Sequence, residues 1–313
     1  MKAAPSACLS LGLLLLAFPA QSRIWRVPAD APTIEAALDS ALAGDVVQPA
    51  CGTYREHDLA LKPGVTLRRE TGLPDCVVID GQGLGRIALC NQPGEAARLE
   101  GLTLTHGNAE ASVGRRGLGG GLFVRYNPVV IERCDFVANI AGVGGGMIAL
   151  ECAPALRGCA FRGNEGTSEG GALELGDADV VVADCVFSDN HANSYGGAVG
   201  CYQWSTASFA RCLFEGNSVL EEGGALDLVY GTVSYAACRF TGNRTGWYGT
   251  LNLIQGTVDL VDCTVSGNVS EGTVSGLRVI NASRLTAVNT DVRDNRCEAD
   301  CARPDGWVGP YAA

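Results

Sequence analysis

Apolar and polar residues alternate along most of the chain in short runs that return at a fixed period. The run LDL at 226–228 places two apolar side chains on one side of an extended chain and a carboxylate on the other, which is typical of a β-strand. A second short run follows in each repeat, such as VVV at 180–182, and then a Cys-x-Phe pair. Each repeat therefore predicts three short strands and no helix.

Two motifs, Gly-Gly and Cys-x-Phe-x-x-Asn, recur every 25 to 27 residues. A fixed period of this size indicates a solenoid in which each repeat covers the apolar face of its neighbour. At about 4.8 Å per coil, three strands per repeat predict a parallel β-helix of roughly nine coils. The cysteine and phenylalanine columns then face inward, and the asparagines lie in the turn after the third strand. The apolar residues at the Gly-Gly motif are Leu122, Met147, Leu173, Val199, Leu226, Leu251 and Leu277, and the cysteines are Cys134, Cys159, Cys185, Cys212, Cys238 and Cys263.

The first residues predict an export signal, because Lys2 precedes a short apolar run and a small-residue cleavage site. The run is too short to span a bilayer, so we expect no transmembrane segment after signal removal and a secreted or cell-surface protein. Residues 34–42 predict a short helix that caps the first coil, with Gly44 at its C-terminal end. The expected organisation is a signal peptide at 1–22, a strand and capping helix at 23–45, a parallel β-helix at 46–295 and an irregular tail at 296–313. The apolar face of the helix is expected to hold Ile34, Ala37, Leu38, Ala41 and Leu42.

Composition excludes one class of partner. The formal charge is −11, and Lys62 is the one lysine outside the predicted signal. Nucleic-acid binding needs clustered basic residues, so no nucleic-acid partner is expected. The acids form no clear cluster that would hold a metal; we expect no cofactor, with Ca²⁺ kept as the alternative.

The repeats resemble those of polymorphic outer membrane proteins, within the right-handed β-helix (pectin-lyase-like) superfamily. The resemblance rests on Gly-Gly-Ala-Leu followed by Phe-x-x-Asn over residues 119–295, and on the opening stretch VPADAPTIEAALDSALAGDVVQPACGTYRE. It implies a right-handed, all-β solenoid and a bacterial origin. The superfamily holds lyases, hydrolases, epimerases, adhesins and spacers, so the resemblance does not select a function. The tail leaves open that the chain is a fragment of a longer surface protein.

The cysteine column predicts buried, reduced thiols rather than a metal site or disulfides. Parallel neighbours at the coil spacing lie farther apart than a disulfide prefers, and a linear column cannot surround zinc. The best disulfide candidates are Cys297 and Cys301 in the tail.

Three charged residues are the candidates for catalysis. Glu174, Asp227 and Arg278 occupy the outward position of the strand that follows the Gly-Gly motif, on alternate coils. Two carboxyl groups two coils apart could act as an acid–base pair through water, and the arginine could serve as a base or as a clamp for a uronate. The alternative interpretation is a charged, solvated strand face.

Aromatic residues near one corner predict a surface that binds sugars, because rings stack on sugar faces. We therefore expect a non-enzymatic binding or adhesion rod that recognises a polysaccharide or cell-surface glycan. A lyase or glycoside hydrolase acting on an acidic polysaccharide is the first alternative, and a passive stalk is the second. The candidate ligand-binding residues are Tyr126, Tyr202, Trp204 and Tyr230.

Overall fold

The chain winds into a parallel β-helix, as the repeats predict. A computed structural model describes residues 22–70, 76–112, 117–281, 283–298 and 305–308. The predicted signal peptide, Cys301 and most of the predicted tail lie outside these ranges. Within them, the strands form four sheets in which every pairing is parallel and neighbouring strands come from successive coils.

Sheet 1 contains the strands that follow the Gly-Gly motif. Its ten strands are Leu59–Ala60, Ala88–Cys90, Leu122–Arg125, Met147–Leu150, Leu173–Gly176, Val199–Tyr202, Leu226–Val229, Leu251–Ile254, Leu277–Ile280 and Gly306–Val308. Sheet 2 follows it along each coil. Its eleven strands are Ile24–Val27, Val46–Pro49, Thr66–Arg68, Arg98–Glu100, Val130–Glu132, Ala155–Arg157, Asp179–Ala183, Thr206–Ala210, Thr232–Ala236, Thr257–Val261 and Arg284–Val288.

Sheet 3 carries the Cys-x-Phe motif. Its ten strands are Gly52–Tyr54, Val77–Asp80, Thr103–Thr105, Asp135–Val137, Ala160–Arg162, Val186–Ser188, Leu213–Glu215, Arg239–Thr241, Thr264–Ser266 and Asp291–Arg293. Sheet 4 was not expected from the sequence. Its seven strands are Ile140–Val143, Glu165–Glu169, His191–Ala192, Ser218–Val219, Arg244–Thr245, Val269–Ser270 and Arg296–Cys297.

The predicted inner columns fill the bore. The phenylalanines of sheet 3 stack face to face, with ring centroids 4.5 Å apart between Phe136 and Phe161 and 4.8 Å apart between Phe187 and Phe214. The asparagine column is buried and forms a ladder. Asn217, for example, donates from Nδ2 to Oδ1 of Asn243 at 2.9 Å and to the Phe187 carbonyl at 2.9 Å. The turn thus satisfies its own buried polar groups.

The Gly-Gly motif is required by the backbone. Gly196 has a φ of 65°, which favours glycine. A Cβ on Gly197 would lie 2.4 Å from the Gly224 carbonyl oxygen of the next coil, so no side chain fits there. The coils can therefore approach each other closely at this corner.

A helix covers the first coil, at Ile34–Ser40. Its N-terminus is capped by the Thr33 hydroxyl, which accepts a hydrogen bond from the Ala36 N–H at 3.1 Å. Leu38 packs into the core, whereas the prediction was wrong for Leu42, whose residue surface is 69% exposed. The chain becomes extended at Ala41, immediately after the helix, and this takes Leu42 off the apolar face.

The cysteines divide into bonded and free groups. Cys51 and Cys76 form a disulfide between successive coils, which the sequence analysis missed. Cys297 is disulfide-bonded, while the predicted partner Cys301 lies outside the described residues, so that pair stays a prediction. The six cysteines of the repeat column are free and buried. Burial raises the pKa of the Cys134 thiol.

Candidate functional site

The three predicted catalytic residues lie on one line along the outer face of sheet 1. Strand pairing places Glu174 beside Gly200, Gly200 beside Asp227, and Asn252 between Asp227 and Arg278. The alignment arises because the residues on either side of each position turn inward. We call this line the outer column.

A second line runs beside the outer column, just before each Gly-Gly motif. Successive coils place Glu169, Tyr195, Glu222 and Tyr248 in register through parallel bridges. Acids and tyrosines therefore alternate along this line. This line was not predicted from the sequence, although its constant spacing from the Gly-Gly motif was a signal for it.

Hydrogen bonds join the two lines around Asp227. The Tyr202 hydroxyl donates to Oδ2 of Asp227 at 2.8 Å, and Nδ2 of Asn252 donates to Oδ1 at 2.6 Å. Arg278 donates to Oε2 of Glu222 at 2.9 Å, and its guanidinium lies 4.0 Å from the centroid of the Tyr248 ring. The arginine is therefore held by groups of this chain.

The candidate carboxyl groups are buried, so the interpretation as a solvated charged face is wrong for them. Glu174 is 4% exposed and Asp227 is 1% exposed. Asp227 is enclosed because Tyr202 and Asn252 bond to its two oxygens. The period of the sequence shows that both acids point outward from the sheet, but it does not show what covers them.

Glu174 lies against a gap in the outer column. A Cβ on Gly200 would be 2.0 Å from Oε2 of Glu174, so the carboxyl group occupies the space that a side chain at 200 would take. This Oε2 atom is buried and has no hydrogen-bond partner. A buried carboxyl oxygen without a hydrogen-bond partner lowers the stability of the folded state.

Burial raises the pKa of both acids. The pKa of Glu174 is well above its ordinary value because of desolvation and, next, the charges of Glu169 and Asp227. Desolvation also raises the pKa of Asp227, to about 7, against the lowering effect of its bonds from Asn252 and Tyr202. Proton exchange near neutral pH is therefore within reach of Asp227.

Only part of the predicted aromatic group comes together. Trp204 is 76% exposed and Tyr230 is 41% exposed, and their ring centroids lie 5.7 Å apart with an interplanar angle of 41°. Tyr202 turns away from them to bond Asp227. Tyr126 lies three coils away in the same corner column, with the Arg125 guanidinium 4.5 Å from its ring centroid. We call Trp204 and Tyr230 the aromatic pair.

A further tryptophan was missed. Trp247 is 61% exposed and its ring centroid is 6.4 Å from that of Tyr248. It therefore borders the polar cluster on the side away from the aromatic pair. Its position in the turn before a Gly-containing corner gave no periodic signal, because the neighbouring repeats have no aromatic residue there.

Neither a metal site nor a membrane span is found in the part of the chain that the structure describes. No group of three histidine, cysteine or acidic side chains within it could hold a metal ion. No described helix is long and apolar enough to cross a bilayer.

A comparison with known protein families agrees with the repeat. Residues 184–202 match the Chlamydia polymorphic membrane protein (Chlamydia_PMP) repeat, which confirms the resemblance drawn from the repeated motifs. No curated protein matches the chain.

Several solved structures are similar to the chain over most of its length. A pectin methylesterase D178A mutant in complex with a hexasaccharide shares 10% identity and a TM-score of 0.36, covering 79% of this chain and 81% of its own. The A-module of a mannuronan C-5 epimerase from Azotobacter vinelandii shares 15% identity and a TM-score of 0.34, covering 90% and 94%. A mannuronic acid-specific family 6 polysaccharide lyase from human gut microbiota shares 14% identity and a TM-score of 0.33, covering 85% and 83%. At these identities no functional residue is transferred to this chain.

Proposed function

We propose that the protein is an exported carbohydrate-binding β-helix that holds a glycan across the outer face of sheet 1. The observation that carries this proposal is the aromatic pair, Trp204 and Tyr230, which exposes two neighbouring rings on adjacent coils. Exposed, tilted rings offer apolar faces to the C–H groups of a sugar and polar edges to its hydroxyls.

The surface beside the aromatic pair is suited to a polar ligand. Tyr202, two residues before Trp204 in the chain, donates its hydroxyl to Asp227 on the outer column. Beyond Asp227, the outer column contains Arg278, whose side chain is 14% exposed and paired with Glu222, and the exposed Trp247 lies on the far side. Exposed aromatic residues thus flank a hydrogen-bonded polar cluster.

Export is supported by chemistry as well as by the leader sequence. The disulfide between Cys51 and Cys76 suits an oxidising compartment. We therefore place the function outside the cytoplasm, on the cell surface or in the medium.

The proposal is tested by titrating oligosaccharides into the purified protein in a calorimeter. Replacing an aromatic residue that stacks on a sugar typically costs more than 1 kcal/mol, so Trp204→Ala should weaken binding at least about fivefold. Tyr126→Ala is the matched control, since it removes an exposed tyrosine from the same corner column three coils away, and it should leave the affinity unchanged. Binding that survives both Trp204→Ala and Tyr230→Ala would contradict the proposal, and no binding by any glycan would favour a passive stalk.

Glycoside hydrolysis is the second candidate, favoured by the raised pKa of Asp227, about 7, on the same line as Glu174. An acid with such a pKa can give or take a proton near neutral pH. Because both acids are almost fully buried, we rank this function below binding. New reducing ends produced by the wild-type protein and lost in Asp227→Ala would reverse the order.

A further inference from the structure

Tryptophan and tyrosine residues are concentrated in one part of the rod. The chain contains 4 tryptophans and 8 tyrosines, and half of these twelve residues belong to three successive coils, on the outer face of sheet 1 or at its two edges. These six residues are Tyr195, Tyr202, Trp204, Tyr230, Trp247 and Tyr248. Because only 6% of the chain is aromatic, this concentration indicates one continuous aromatic surface.

Half-buried tyrosines form the floor between the aromatic pair and Trp247. The Tyr202 hydroxyl donates to Oδ2 of Asp227 at 2.8 Å, which fixes the ring over the strand face. The Tyr248 ring lies 4.0 Å from the Arg278 guanidinium. Both rings are therefore held by groups of this chain, so a ligand that crosses them meets a surface that is already ordered.

A cleft of about 400 Å³ lies at the far edge of this floor. Its lining comes from two successive turns and consists of Gly246, Trp247, Tyr248, Glu271, Gly272 and Thr273. A Cβ on Gly272 would lie 2.1 Å from the Trp247 carbonyl oxygen, so no side chain fits there and the space beside the exposed tryptophan stays open. Glu271 and Thr273 supply polar groups next to the ring. The cleft therefore offers a sugar both a stacking face and hydrogen-bonding groups.

Charge at the cleft favours a neutral sugar over a uronate. Arg244 donates from Nη2 to Glu271 at 2.9 Å and to Glu298 at 3.0 Å, so one positive charge is shared by two carboxylates. The whole chain has a formal charge of −11. An acidic polymer would therefore meet like charge at this edge and over the molecule as a whole.

The length of the strand sets the length of the ligand. The aromatic pair lies just after strands of sheet 1, and Trp247 lies in the turn before the strand Leu251–Ile254. Four residues of strand span about 13 Å at about 3.3 Å per residue. A disaccharide is too short to reach both edges of the sheet, whereas a hexasaccharide is long enough.

We propose that the cleft at Trp247 is a second sugar-binding anchor, and that the ligand is a linear, neutral glycan that crosses sheet 1 from the aromatic pair to this cleft. This inference rests on the proposed glycan-binding function. Two contacts joined by one ligand raise the affinity above that of either contact alone, because the second contact forms within the complex.

The test measures affinity by calorimetry as a function of chain length. The ligands are the disaccharides and hexasaccharides of β-1,4-linked glucose, mannose and N-acetylglucosamine, together with a hexamer of galacturonate. A neutral hexasaccharide should bind at least tenfold more tightly than its own disaccharide, and the galacturonate hexamer should bind most weakly. Trp247→Ala should weaken binding of that hexasaccharide at least about fivefold and leave the disaccharide, held by the two rings of the aromatic pair, unchanged. Trp204→Ala should weaken binding of both.

Two further variants serve as controls. Trp247→Phe keeps an aromatic ring and should retain most of the affinity for the hexasaccharide. Leu84→Ala removes another exposed apolar side chain, 58% exposed and six coils away in the order of sheet 1, and should change neither affinity.

The outcomes separate this inference from the function on which it rests. An unchanged affinity of Trp247→Ala for the hexasaccharide, or an equal loss for both chain lengths, would overturn the second anchor. A wild-type protein that binds the disaccharide as tightly as the hexasaccharide would overturn it too, and preference for galacturonate would overturn the neutral ligand. In each of these cases a loss of binding in Trp204→Ala would still support the proposed function. Absence of binding by all of these glycans would reject the proposed function itself.

Discussion

At the scale of single residues, the environment of Asp227 favours its neutral form. The carboxyl group is 1% exposed, and desolvation raises its pKa to about 7 although Tyr202 and Asn252 donate hydrogen bonds to it. An unfolded aspartate has a pKa of about 3.9. Between these two values the folded chain retains a proton that the unfolded chain has released. The contribution of Asp227 to the free energy of unfolding therefore falls as the pH rises from about 4 to about 7, and is level above that range.

The first prediction concerns this pH dependence. Between pH 5 and pH 8 the wild-type protein should lose on the order of 2 kcal/mol of stability through Asp227, because each pKa unit corresponds to about 1.4 kcal/mol. Asp227→Asn cannot lose the proton and should show a flatter profile in the same window. Urea unfolding midpoints measured at several pH values give the comparison.

The control residue is Asp184, an acid whose pKa is shifted in the opposite direction. Arg211 bonds Asp184 and lowers the pKa of its carboxyl group, so any stability gained there is present above the unfolded pKa and lost only in more acidic solution. Asp184→Asn should therefore keep the wild-type slope between pH 5 and pH 8. An unchanged slope in Asp227→Asn would show that its burial does not control the profile.

The sequence predicts the alignment of the site residues but not their surroundings. Glu174, Asp227 and Arg278 share a line because strand periodicity and the repeat fix both direction and coil. Burial of Asp227 depends on Tyr202, whose hydroxyl points over the strand face to its carboxyl group. A side-chain rotamer decides that direction, and no pattern of apolar and polar positions encodes it.

At the scale of structural elements, the asparagine ladder is the part of the coil with the most demanding polar chemistry. Each amide in its middle bonds three partners. Asn217 accepts from the backbone N–H and from Nδ2 of Asn190, at 3.1 and 2.8 Å, and donates to Asn243 and Phe187. All of these groups are buried, so water cannot replace a lost partner.

The second prediction is that Asn217→Ala destabilises the protein by at least about 2 kcal/mol, because it leaves several buried donors and acceptors unsatisfied at about 1–3 kcal/mol each. Asn193→Ala is the control. Asn193 donates one hydrogen bond, to the Thr167 carbonyl at 2.8 Å, in a solvent-exposed part of the turn. Its removal should cost less than about 0.5 kcal/mol. Equal costs for the two variants, measured by urea unfolding, would mean that the ladder is not a source of stability.

The elements with a strong period were predictable, and those without one were not. Three sheets follow from alternation and from the two motifs. Sheet 4 was missed because several of its strands have two residues, such as His191–Ala192, too few to show alternation. The C-terminal end of the helix was predicted incorrectly, because the spacing of apolar residues does not show where a helix ends. In the structure the chain becomes extended at Ala41.

At the scale of the whole molecule, the two ends of the solenoid are enclosed to different degrees. The helix covers the first coils, where Ile34 and Leu38 are buried. At the other end of the part of the chain that the structure describes, the last strand of sheet 2 is Arg284–Val288, and none of its five residues is buried. In a solenoid each coil is stabilised by its neighbours, so opening spreads inward from the less enclosed end.

The free cysteines report this difference, and they give the third prediction. Cys90 lies in the second strand of sheet 1 from the helix-capped end, and Cys263 directly precedes the ninth of ten strands of sheet 3. Both are buried and free, and burial raises the pKa of the Cys90 thiol to about 11. A thiol reagent therefore reacts with either one only when its coil opens.

In native conditions Cys263 should be labelled faster than Cys90 and faster than Cys185 in the middle of the rod, as followed by mass spectrometry of proteolytic fragments. In denaturant the three should react at similar rates, which controls for intrinsic reactivity. Equal native rates at Cys263 and Cys185 would show that the coils open as one cooperative unit instead of from the less covered end.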